Sequence, residues 1–294
     1  MLAYMREVTK RSSERDRFSL KQLFPFFSGK EMQQLSPADV RQYINIRRGD
    51  GIQAGTINKE IGLLSVAINY ANREWEWKLP NPVEGRRLAE PGRRIRWLTC
   101  SQAQSLIIAA SKLPRATYLI DFIVLGLNTG MRRGEMLGLE WQRVDLKAGL
   151  IYFGPEHQKN GKVGSVPLND AACAAISSRA RFKATHCPAS RWVFCNRLGR
   201  PIRDIKKSFA TACGIAQIKD LHPHDLRHTC AAWLVQAGVP IREVAELLRH
   251  SDIRVTMRYA HLAPENVRAA VLVLDGLGSR SGHVDQVRTL RGVG

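Results

Sequence analysis

Apolar residues in the first 80 positions recur every three to four residues, which is the spacing of one face of an α-helix. One helix is predicted to begin at Ser36, which can cap it, with Asp39 near the positive end of the helix dipole. A second helix is predicted from Thr56 to about Trp75. Its apolar stripe comprises Ile57, Ile61, Leu64 and Ile68. The pattern predicts a small helical bundle over residues 1–80.

Residues 78–96 break this pattern. Apolar periodicity stops, and the segment holds three prolines, two glycines and six basic residues. Such a composition is typical of a boundary between domains. We therefore divide the chain into a helical domain at 1–80, a basic linker at 81–96, a second domain at 97–274 and a flexible tail at 275–294.

The second domain mixes helical and strand patterns. Thr99 begins a capping box, and the second of the two helices that follow is predicted to end near Gly130. Two short apolar runs at 150–153 and 163–168 flank an Asn-Gly pair and predict a β-hairpin, to which 191–195 can add a strand. Further helices are predicted at 203–215, 224–237, 240–249, 252–261 and 264–274. The chain is thus predicted to be mainly α with a small β-sheet, an α+β fold.

The chain is strongly basic, with 45 Lys and Arg against 26 Asp and Glu and a formal net charge of +19. The excess is spread over both domains, because residues 1–95 hold 17 basic and 11 acidic side chains and residues 96–262 hold 24 and 12. This balance favours a nucleic acid partner; ribosome-associated proteins and proteins of anionic membrane surfaces are the alternatives. The basic residues of the predicted bundle that could contact phosphates or remain solvated are Arg41, Arg47, Arg48 and Lys59.

No apolar run reaches the length of a membrane span, and the N-terminal segment lacks the apolar core of a secretion signal. The sequence therefore predicts a cytoplasmic protein, associated with the nucleoid if its partner is DNA. The cysteines occur singly, which predicts reduced thiols and argues against a zinc site. They are Cys100, Cys173, Cys187, Cys195, Cys213 and Cys230.

Five residues together supply the chemistry of attack on a phosphodiester: Arg132, His224, Arg227, His250 and Tyr259. Arginine forks onto phosphate oxygens, histidine donates hydrogen bonds near neutral pH, and a tyrosine hydroxyl can become a covalent nucleophile. Arg132 is predicted near a helix start, where free N–H groups also favour an anion; an ion pair with Glu135 is the alternative. The set predicts covalent cutting of a nucleic acid backbone without a metal.

A metal site is the competing interpretation, because His222, His224 and His228 have a spacing that metal ligands can adopt. Arg227 lies on the same predicted helix face as His224. A guanidinium is repelled by a divalent cation and attracted by a phosphate, which argues against the metal. We therefore interpret His222 and His228 as structural.

The strings TGMRRGE, HPHDLRHT and LRHSDIRVTMRYAHL, in this order, resemble the active-site boxes of the tyrosine recombinases, the phage-integrase family. The resemblance is close over the C-terminal two thirds of the chain. The N-terminal segment is more weakly similar to that family's core-binding domain, in TINKEIGLL and WKLPNP. The resemblance implies a mixed α/β catalytic domain and a site-specific DNA recombinase that integrates or excises a mobile element or prophage, without metal, ATP or another cofactor.

The resemblance also assigns roles to the five residues. Tyr259 would attack the DNA backbone and form a 3′-phosphotyrosyl link. Arg132 and Arg227 would hold the non-bridging oxygens of the scissile phosphate, and His224 and His250 would complete the cage of donors. Such preorganised cationic donors stabilise the charge that gathers on the equatorial oxygens during phosphoryl transfer.

Three further positions enter through the resemblance. Lys159 matches the hairpin lysine that protonates the leaving 5′-oxygen, with Lys162 as a rival, and Glu135 matches an acid that supports the site. Arg249 departs from the family, which usually has glycine before the second histidine. A side chain there costs about 1 kcal/mol if the backbone is left-handed. Arg249 either contacts DNA or is a tolerated variation.

By the same resemblance the protein binds double-stranded recombination sites and assembles on them as a homo-tetramer, because exchange between two duplexes needs four cleavages. The predicted helix 264–274 would dock on a neighbouring protomer or pack on its own domain. The chain begins almost directly with the core-binding segment. No arm-site DNA-binding domain is therefore expected before it, unless the sequence begins after the natural start of the protein.

Other functions stay open at this point. A type IB topoisomerase uses the same covalent chemistry. The compact helical N-terminal domain and the amino-acid sequences of the three boxes nevertheless favour a recombinase. A DNA-binding architectural protein could keep the fold without cutting, and a metal nuclease could use the histidine cluster. The sequence does not indicate the DNA site, the preferred direction of recombination or accessory proteins.

Overall fold

The computed structural model describes residues 1–8, 10, 13–92, 95–155, 163–264, 271, 272 and 274. The chain forms two compact units, Met1–Arg93 and Arg94–Gly294, so it divides inside the segment predicted as a linker. Within the described residues, no helix combines the length and the apolar character that crossing a membrane requires. The assignment of the first unit to DNA binding stays a prediction.

The first unit is a helical bundle. Its helices are α1 Leu2–Glu7, α2 Ser13–Phe27, α3 Pro37–Gly49 and α4 Ala54–Glu74. The start of α3 is as predicted, because the Ser36 hydroxyl accepts from N of Asp39 at 3.2 Å and the Asp39 carboxylate accepts from N of Ser36 at 2.9 Å. The apolar stripe of α4 is buried against α2 and α3, with Ile57, Ile61 and Leu64 fully enclosed.

Arg47, one of the basic residues expected to face solvent or phosphate, pairs inside the first unit instead. Its Nη2 lies 2.8 Å from Oε1 of Glu60, which is only 3% exposed. The hydroxyl of Tyr43 donates to Oε2 of the same carboxylate at 2.8 Å. Burial and the Glu60 charge raise the pKa of Tyr43, so the phenol remains a donor. Arg47 therefore stabilises α3 against α4.

The second unit is built around a long apolar helix, α6. Its helices are α5 Cys100–Ser111, α6 Tyr118–Thr129, α7 Arg133–Leu137, α8 Asp170–His186, α9 Lys206–Ile215, α10 Asp225–Gln236, α11 Ile241–Leu247 and α12 Arg254–Met257. Helix α6 packs against α5, α8 and α10, and Leu119, Phe122, Ile123 and Leu125 are completely buried there. The predicted capping box at Thr99 is present at the start of α5.

A small antiparallel sheet lies beside these helices, with strands β1 Val144–Asp145, β2 Leu150–Phe153 and β3 Gly164–Pro167 in the order β1-β2-β3. Strands β2 and β3 pair Leu150 with Pro167 and Phe153 with Gly164. This confirms the two strands of the predicted hairpin. Residues 156–162, where the sequence predicts the turn, lie outside the described residues.

The predicted strand at 191–195 is wrong, because this segment makes isolated bridges only. The physical reason is a buried arginine on α8. Arg179 is 1% exposed and donates from Nε to the carbonyl of Val193 and from Nη2 to that of Cys195, both at 3.3 Å. These two carbonyls are thus satisfied by a side chain and need no neighbouring strand.

The C-terminal helices follow the predicted order. The predicted helix 252–261 is broken, however, into α12 and a 3-10 turn, Ala260–Leu262, and Tyr259 lies between the two pieces. The predicted helix 264–274 and the tail 275–294 fall almost wholly outside the described residues. All six cysteines are free thiols, and four of them are buried.

Candidate active site

Several elements of the second unit bring the predicted site residues into one region. Arg132 precedes α7, His224 and Arg227 lie at the start of α10, His250 follows α11, and Tyr259 follows α12. Loss of contact with water lowers the pKa of both His224 and His250, and the charges of Arg227 and Arg132 lower it further. The residues therefore share one strongly basic environment.

Arg227 is 3% exposed and joins two chain segments. Its Nη1 donates to the carbonyl of Gly130 at 2.7 Å, and its Nη2 donates to that of Leu248 at 2.5 Å. Burial lowers the pKa of Arg227 to about 9, and the charge of Arg132 acts in the same direction, so the guanidinium is still protonated at neutral pH. A guanidinium has five N–H donors, and the contacts within the described residues use only two. The others can bind an anion.

Gly130 follows the last residue of α6, and its own carbonyl is the one that accepts from Arg227. The residue is left-handed, with φ of 59°, and it ends α6 as predicted. A Cβ atom at this position would collide with the side chain of Leu248. Glycine is therefore favoured both by the backbone conformation and by the close approach of the Leu248 side chain.

Arg132 is clamped by the carboxylate of Glu135. Its Nη1 donates to Oε1 at 2.6 Å, its backbone N donates to Oε2 at 2.9 Å, and its Nη2 donates to the carbonyl of Arg249 at 3.2 Å. The ion pair with Glu135 that was the alternative interpretation is thus present. The side chain of Arg132 keeps 32% of its surface exposed, so the pair orients the guanidinium without enclosing it.

Arg249 has a left-handed backbone, with φ of 54°, at the position where the resemblance led us to expect glycine. Its side chain is 7% exposed, and Nη2 lies 2.5 Å from Oε2 of Glu135. The guanidinium also lies 4.6 Å from the ring centre of Phe153 at the end of β2. The suggested contact of Arg249 with DNA is therefore not supported, because the side chain points into the protein.

The Glu135 carboxylate is shared by two arginines. Burial alone would raise its pKa, but the charge of Arg249 and the hydrogen bonds of Arg132 outweigh burial, and the pKa of Glu135 is lowered. The carboxylate is therefore ionised throughout the neutral range. It fixes Arg132, Arg249 and, through Arg249, the end of β2 in one arrangement.

We expect Glu135→Gln to lower the free energy of unfolding by about 3–5 kcal/mol, because it leaves the buried Arg249 without its counter-charge. Urea denaturation measures the change. Glu246→Gln on α11 is the matched control, since Glu246 pairs with Arg242 while 69% exposed, and its loss should cost about 0.5 kcal/mol or less. Equal effects of the two substitutions would contradict a structural role for the buried pair.

His250 is held by a buried hydroxyl. Its Nδ1 lies 2.7 Å from Oγ1 of Thr256, which is fully buried on α12. Desolvation lowers the pKa of His250 to about 3, with Arg227 and Arg132 adding to the effect, so the ring is neutral. If Thr256 donates to Nδ1, the proton of the neutral ring is on Nε2, which can then donate to a ligand.

The lowered pKa of His250 predicts how the stability of the folded protein depends on pH. Its pKa is about 3 in the folded state against 6.5 ordinarily, so the unfolded chain binds the proton more tightly and stability falls as pH drops below about 6.5. The slope is about 1.4 kcal/mol per pH unit for one proton. Burial raises the pKa of Asp121 to about 6, which acts in the opposite direction below that pH.

A comparison of wild type with His250→Gln between pH 6.5 and pH 4.5 cancels the contribution of Asp121. We expect the urea-derived stability of the wild type to fall more steeply than that of the variant, with a difference approaching about 1.4 kcal/mol per pH unit. Parallel curves would show that the imidazole of His250 is not held neutral in the folded state.

Tyr259 is buried, with 1% of its surface exposed, and its hydroxyl is hydrogen-bonded to Nδ1 of His228. Burial raises the pKa of Tyr259 to about 12, against the opposing charges of Arg258 and Arg227. Burial also lowers the pKa of His228 to about 4. Both groups are therefore neutral at physiological pH, and in the tautomer that carries its proton on Nε2 the imidazole accepts from the phenol at Nδ1.

The sequence-based interpretation of His228 as structural missed this contact with the phenol. The signal was present in the spacing, because His228 comes one helical turn after His224, on the same face of α10. The two rings meet edge to face, with centroids 4.9 Å apart. What could not be read from α10 alone is that Tyr259 would be returned to this face by the break after α12.

Lys159 and its rival Lys162 lie outside the described residues, so their assignment stays a prediction. The paired strands β2 and β3 flank, along the chain, the segment that contains both lysines. Phe153, the last residue of β2, lies under the guanidinium of Arg249. The base of the hairpin is therefore tied to the same arginine and glutamate group that positions Arg132.

The described part of the chain contains no group of three or more His, Cys, Asp or Glu residues placed to hold a metal ion. Of the histidines considered as ligands, His222 is exposed, while His228 faces Tyr259. The charged groups that act on the phenol are Arg258, Arg227 and Asp225, of which two are cationic. The arrangement can therefore bind a phosphate and present a hydroxyl nucleophile to it.

Solved structures share this fold. The Tn1549 transposon integrase in complex with a circular intermediate DNA matches with a TM-score of 0.74 and 19% identity, over 90% of this chain and 94% of that one. A lambda integrase dimer bound to a COC′ core site matches with a TM-score of 0.72 and 17% identity, over 90% and 93%. The second unit thus has the architecture of the tyrosine recombinase catalytic domain.

Comparison of the sequence with known proteins identifies the family. Residues 96–266 match the model of the phage integrase family. The chain is 32% identical over 231 residues to the integrase of Salmonella phage P22, covering 74% of this chain and 56% of that protein. It is 32% identical over 244 residues to the shufflon-specific DNA recombinase of Escherichia coli, covering 79% and 59%. The chain thus spans little more than half the length of these relatives. It belongs to the phage integrase family, which confirms the resemblance of the three boxes.

Proposed function

We propose that the protein is a site-specific DNA recombinase that cleaves and rejoins strands through Tyr259. One observation carries the proposal: a buried, protonated tyrosine lies in the same basic region as Arg132 and Arg227, two arginines that retain N–H donors for a phosphate. The named relatives, a phage integrase and a shufflon recombinase, support it. Integration or excision of a mobile element or prophage is the biological role we infer.

The reaction follows from the groups present. The Tyr259 oxygen attacks the scissile phosphorus, a new phosphorus–oxygen bond forms, and the bond to the 5′-oxygen breaks. Arg132 and Arg227 hold the non-bridging oxygens, while His224 and His250 donate further hydrogen bonds. We propose Lys159 as the donor of the proton to the 5′-oxygen. The phosphotyrosyl bond retains the energy of the cleaved bond, so rejoining needs neither ATP nor a metal.

We further propose that the partner is double-stranded DNA carrying a recombination site, bound by a homo-tetramer in the cytoplasm. The net charge of +19 supports a polyanionic partner. Structures of similar fold are described as DNA complexes, among them an integrase dimer on a core site. In this assembly the first unit binds DNA as a core-binding domain and the segment 81–96 contributes further positive charge.

The direct test uses the full chain and a pool of linear duplexes with a randomised central segment, stopped with detergent in the presence of excess EDTA. We expect protein–DNA adducts that protease releases, with the phosphodeoxyribose on the peptide that contains Tyr259 by mass spectrometry. The trapped sequences should converge on one inverted-repeat site. An absence of adducts, or their loss with EDTA, would contradict the proposal.

The same assay separates the recombinase from a type IB topoisomerase. A topoisomerase would relax any supercoiled plasmid and give adducts scattered along it. We expect instead that a plasmid with the mapped site is cut at that site, and that a pair of sites yields exchanged products. Relaxation of a plasmid without the site, at a comparable rate, would favour the topoisomerase.

A further inference from the structure

The acceptor of the Tyr259 proton is the missing part of the proposed reaction. A phenol must lose its proton as its oxygen bonds to phosphorus, and general-base removal of such a proton typically contributes 10²–10⁴-fold to a rate. Tyr259 is 1% exposed, so bulk water has little access to its hydroxyl. A protein group in contact with the hydroxyl is therefore the natural acceptor.

Among the described residues, the hydroxyl of Tyr259 has one hydrogen-bond partner, Nδ1 of His228. The contact joins a reacting atom of the proposed mechanism to a ring nitrogen able to take up a proton. Arg132 and Arg227 remain protonated and cannot accept. Nδ1 of His250 is not available to accept this proton, because it is already hydrogen-bonded to Thr256.

Both partners of this hydrogen bond are neutral in the resting protein. The pKa of His228 is lowered by burial, then by His224, Arg258 and Arg227, so the ring is neutral. The phenol is protonated, because burial raises the pKa of Tyr259. In the tautomer that carries its proton on Nε2, the ring accepts from the phenol at Nδ1, and this is the form in which His228 can take up the proton.

We infer that His228 accepts the proton of Tyr259 during strand cleavage and returns it during rejoining. This rests on Tyr259 being the nucleophile of the proposed function. In cleavage the phenolic O–H bond breaks and its proton passes to Nδ1, while the oxygen–phosphorus bond forms and the 5′-oxygen leaves with its electron pair. In rejoining the 5′-hydroxyl attacks phosphorus and gives its proton to the group proposed to have protonated it, Lys159, while the bond from phosphorus to the phenolic oxygen breaks and that oxygen recovers the proton from Nδ1.

The proton moves during attack and not before it. The pKa of Tyr259 is about 12 and that of His228 about 4, so the pair does not ionise in the resting protein. The acidity of the phenol rises as its oxygen bonds to phosphorus. The positive charge that appears on His228 is then next to a phosphate that has gained negative charge, which stabilises it.

Several charged or titratable groups face this pair and could add pH dependence of their own. His224 and Arg227 on α10 and Arg258 after α12 face His228, and Asp225 and Cys230 on α10 also act on Tyr259. The burial that lowers the pKa of His224 makes it neutral above pH 7. The rate of the wild type should therefore be flat from pH 7 to pH 8, below the pKa of about 9 of Arg227.

The test measures single-turnover cleavage of a nicked duplex that carries the mapped site, with His228→Asn. Asparagine places its oxygen near the position of Nδ1, so it can orient the phenol but cannot take up the proton. We expect the cleavage rate at pH 7 to fall about 10²–10³-fold. Because hydroxide must then remove the proton, the rate of the variant should rise about tenfold per pH unit from pH 7 to pH 8.

A more acidic phenol should restore cleavage by the His228→Asn variant, because it loses its proton more easily when no base is present. Replacement of Tyr259 by 3,5-difluorotyrosine, a more acidic phenol, should recover most of the lost rate in the His228→Asn background and change the wild type little. His186→Asn is the matched control for the substitution itself. His186 lies exposed at the end of α8 and bonds only to the carbonyl of Phe182 in its own helix, so the control should cleave normally.

A normal rate for His228→Asn, or a defect equal at every pH, would overturn the inference and leave His228 as a positioning residue or none. If His228→Asn does not fold, His228→Ala with added imidazole serves instead; recovery of cleavage supports the inference, and no recovery in a variant that still binds DNA refutes it. These outcomes differ from failure of the proposed function, in which the wild type itself forms no adduct.

Discussion

Tyr259→Phe is expected to abolish formation of the covalent DNA adduct while leaving DNA binding intact. Phenylalanine has no nucleophilic oxygen, and removing a nucleophile typically lowers the rate on the order of 10⁶-fold. The ring fills the same buried space between α10 and α11. The variant should lose stability by about 1–3 kcal/mol, because Nδ1 of His228 is left unpaired.

Tyr118→Phe is the matched control for Tyr259→Phe. The hydroxyl of Tyr118 lies 3.1 Å from Oγ of Ser208 in the same unit, so this substitution also removes one phenolic hydrogen bond. We expect adduct formation to be unchanged in the control, measured by gel shift after detergent treatment. An adduct that persists in Tyr259→Phe would move the nucleophile to another residue and remove the basis of the proposed function.

Arg227→Lys is expected to lower the cleavage rate by about 10²–10³-fold, the usual loss when one preorganised donor of a transition-state cage is removed. A lysine cannot bind the carbonyls of Gly130 and Leu248 together and still offer a fork of N–H groups to a phosphate. The effect should appear in the single-turnover rate at saturating protein more than in DNA affinity.

Arg179→Lys separates this loss from simple destabilisation. Arg179 is also a buried guanidinium that binds two backbone carbonyls, those of Val193 and Cys195, but it lies on α8 outside the site. Both substitutions should lower the midpoint of urea unfolding. Only Arg227→Lys should slow cleavage once each variant is measured well below its midpoint; similar slowing in Arg179→Lys would mean that stability and not phosphate binding controls the rate.

The parts of the fold with strong local signals could be predicted from the sequence. Ser36 and Thr99 each have a cap partner three residues on, so both helix starts are encoded within one turn. The end of α6 at Gly130 is encoded by a residue suited to positive φ. The hairpin strands follow from two apolar runs around an Asn-Gly pair.

The elements that were missed depend on contacts between distant residues. Helix α8 buries two alanines, one isoleucine and one arginine, so no stripe of large apolar residues indicates it; these are Ala172, Ala175, Ile176 and Arg179. The segment 191–195 has a strand-like composition, yet Arg179 satisfies its carbonyls. Local pattern cannot reveal a partner that another helix supplies.

The site, like the fold, has features that could be predicted from the sequence and features that could not. The identities of Arg132, His224, Arg227, His250 and Tyr259 could be proposed from residue chemistry and the three boxes. The contact between His228 and Tyr259 could not, because it requires the chain to bend back after α12. The inward direction of Arg249 could not be read from sequence either, since it depends on Glu135, which is 114 residues away along the chain.

The sharing of Glu135 between two arginines has a consequence for the charge that the site offers a substrate. Glu135 cancels one of the three guanidinium charges of Arg132, Arg227 and Arg249, and the depressed pKa values of His224 and His250 leave those rings uncharged. The group as a whole therefore carries two net positive charges. A phosphodiester has one negative charge and its five-coordinate transition state has two, so these residues attract the transition state more strongly than the substrate, and anions such as vanadate that adopt this geometry should bind there in preference to phosphate.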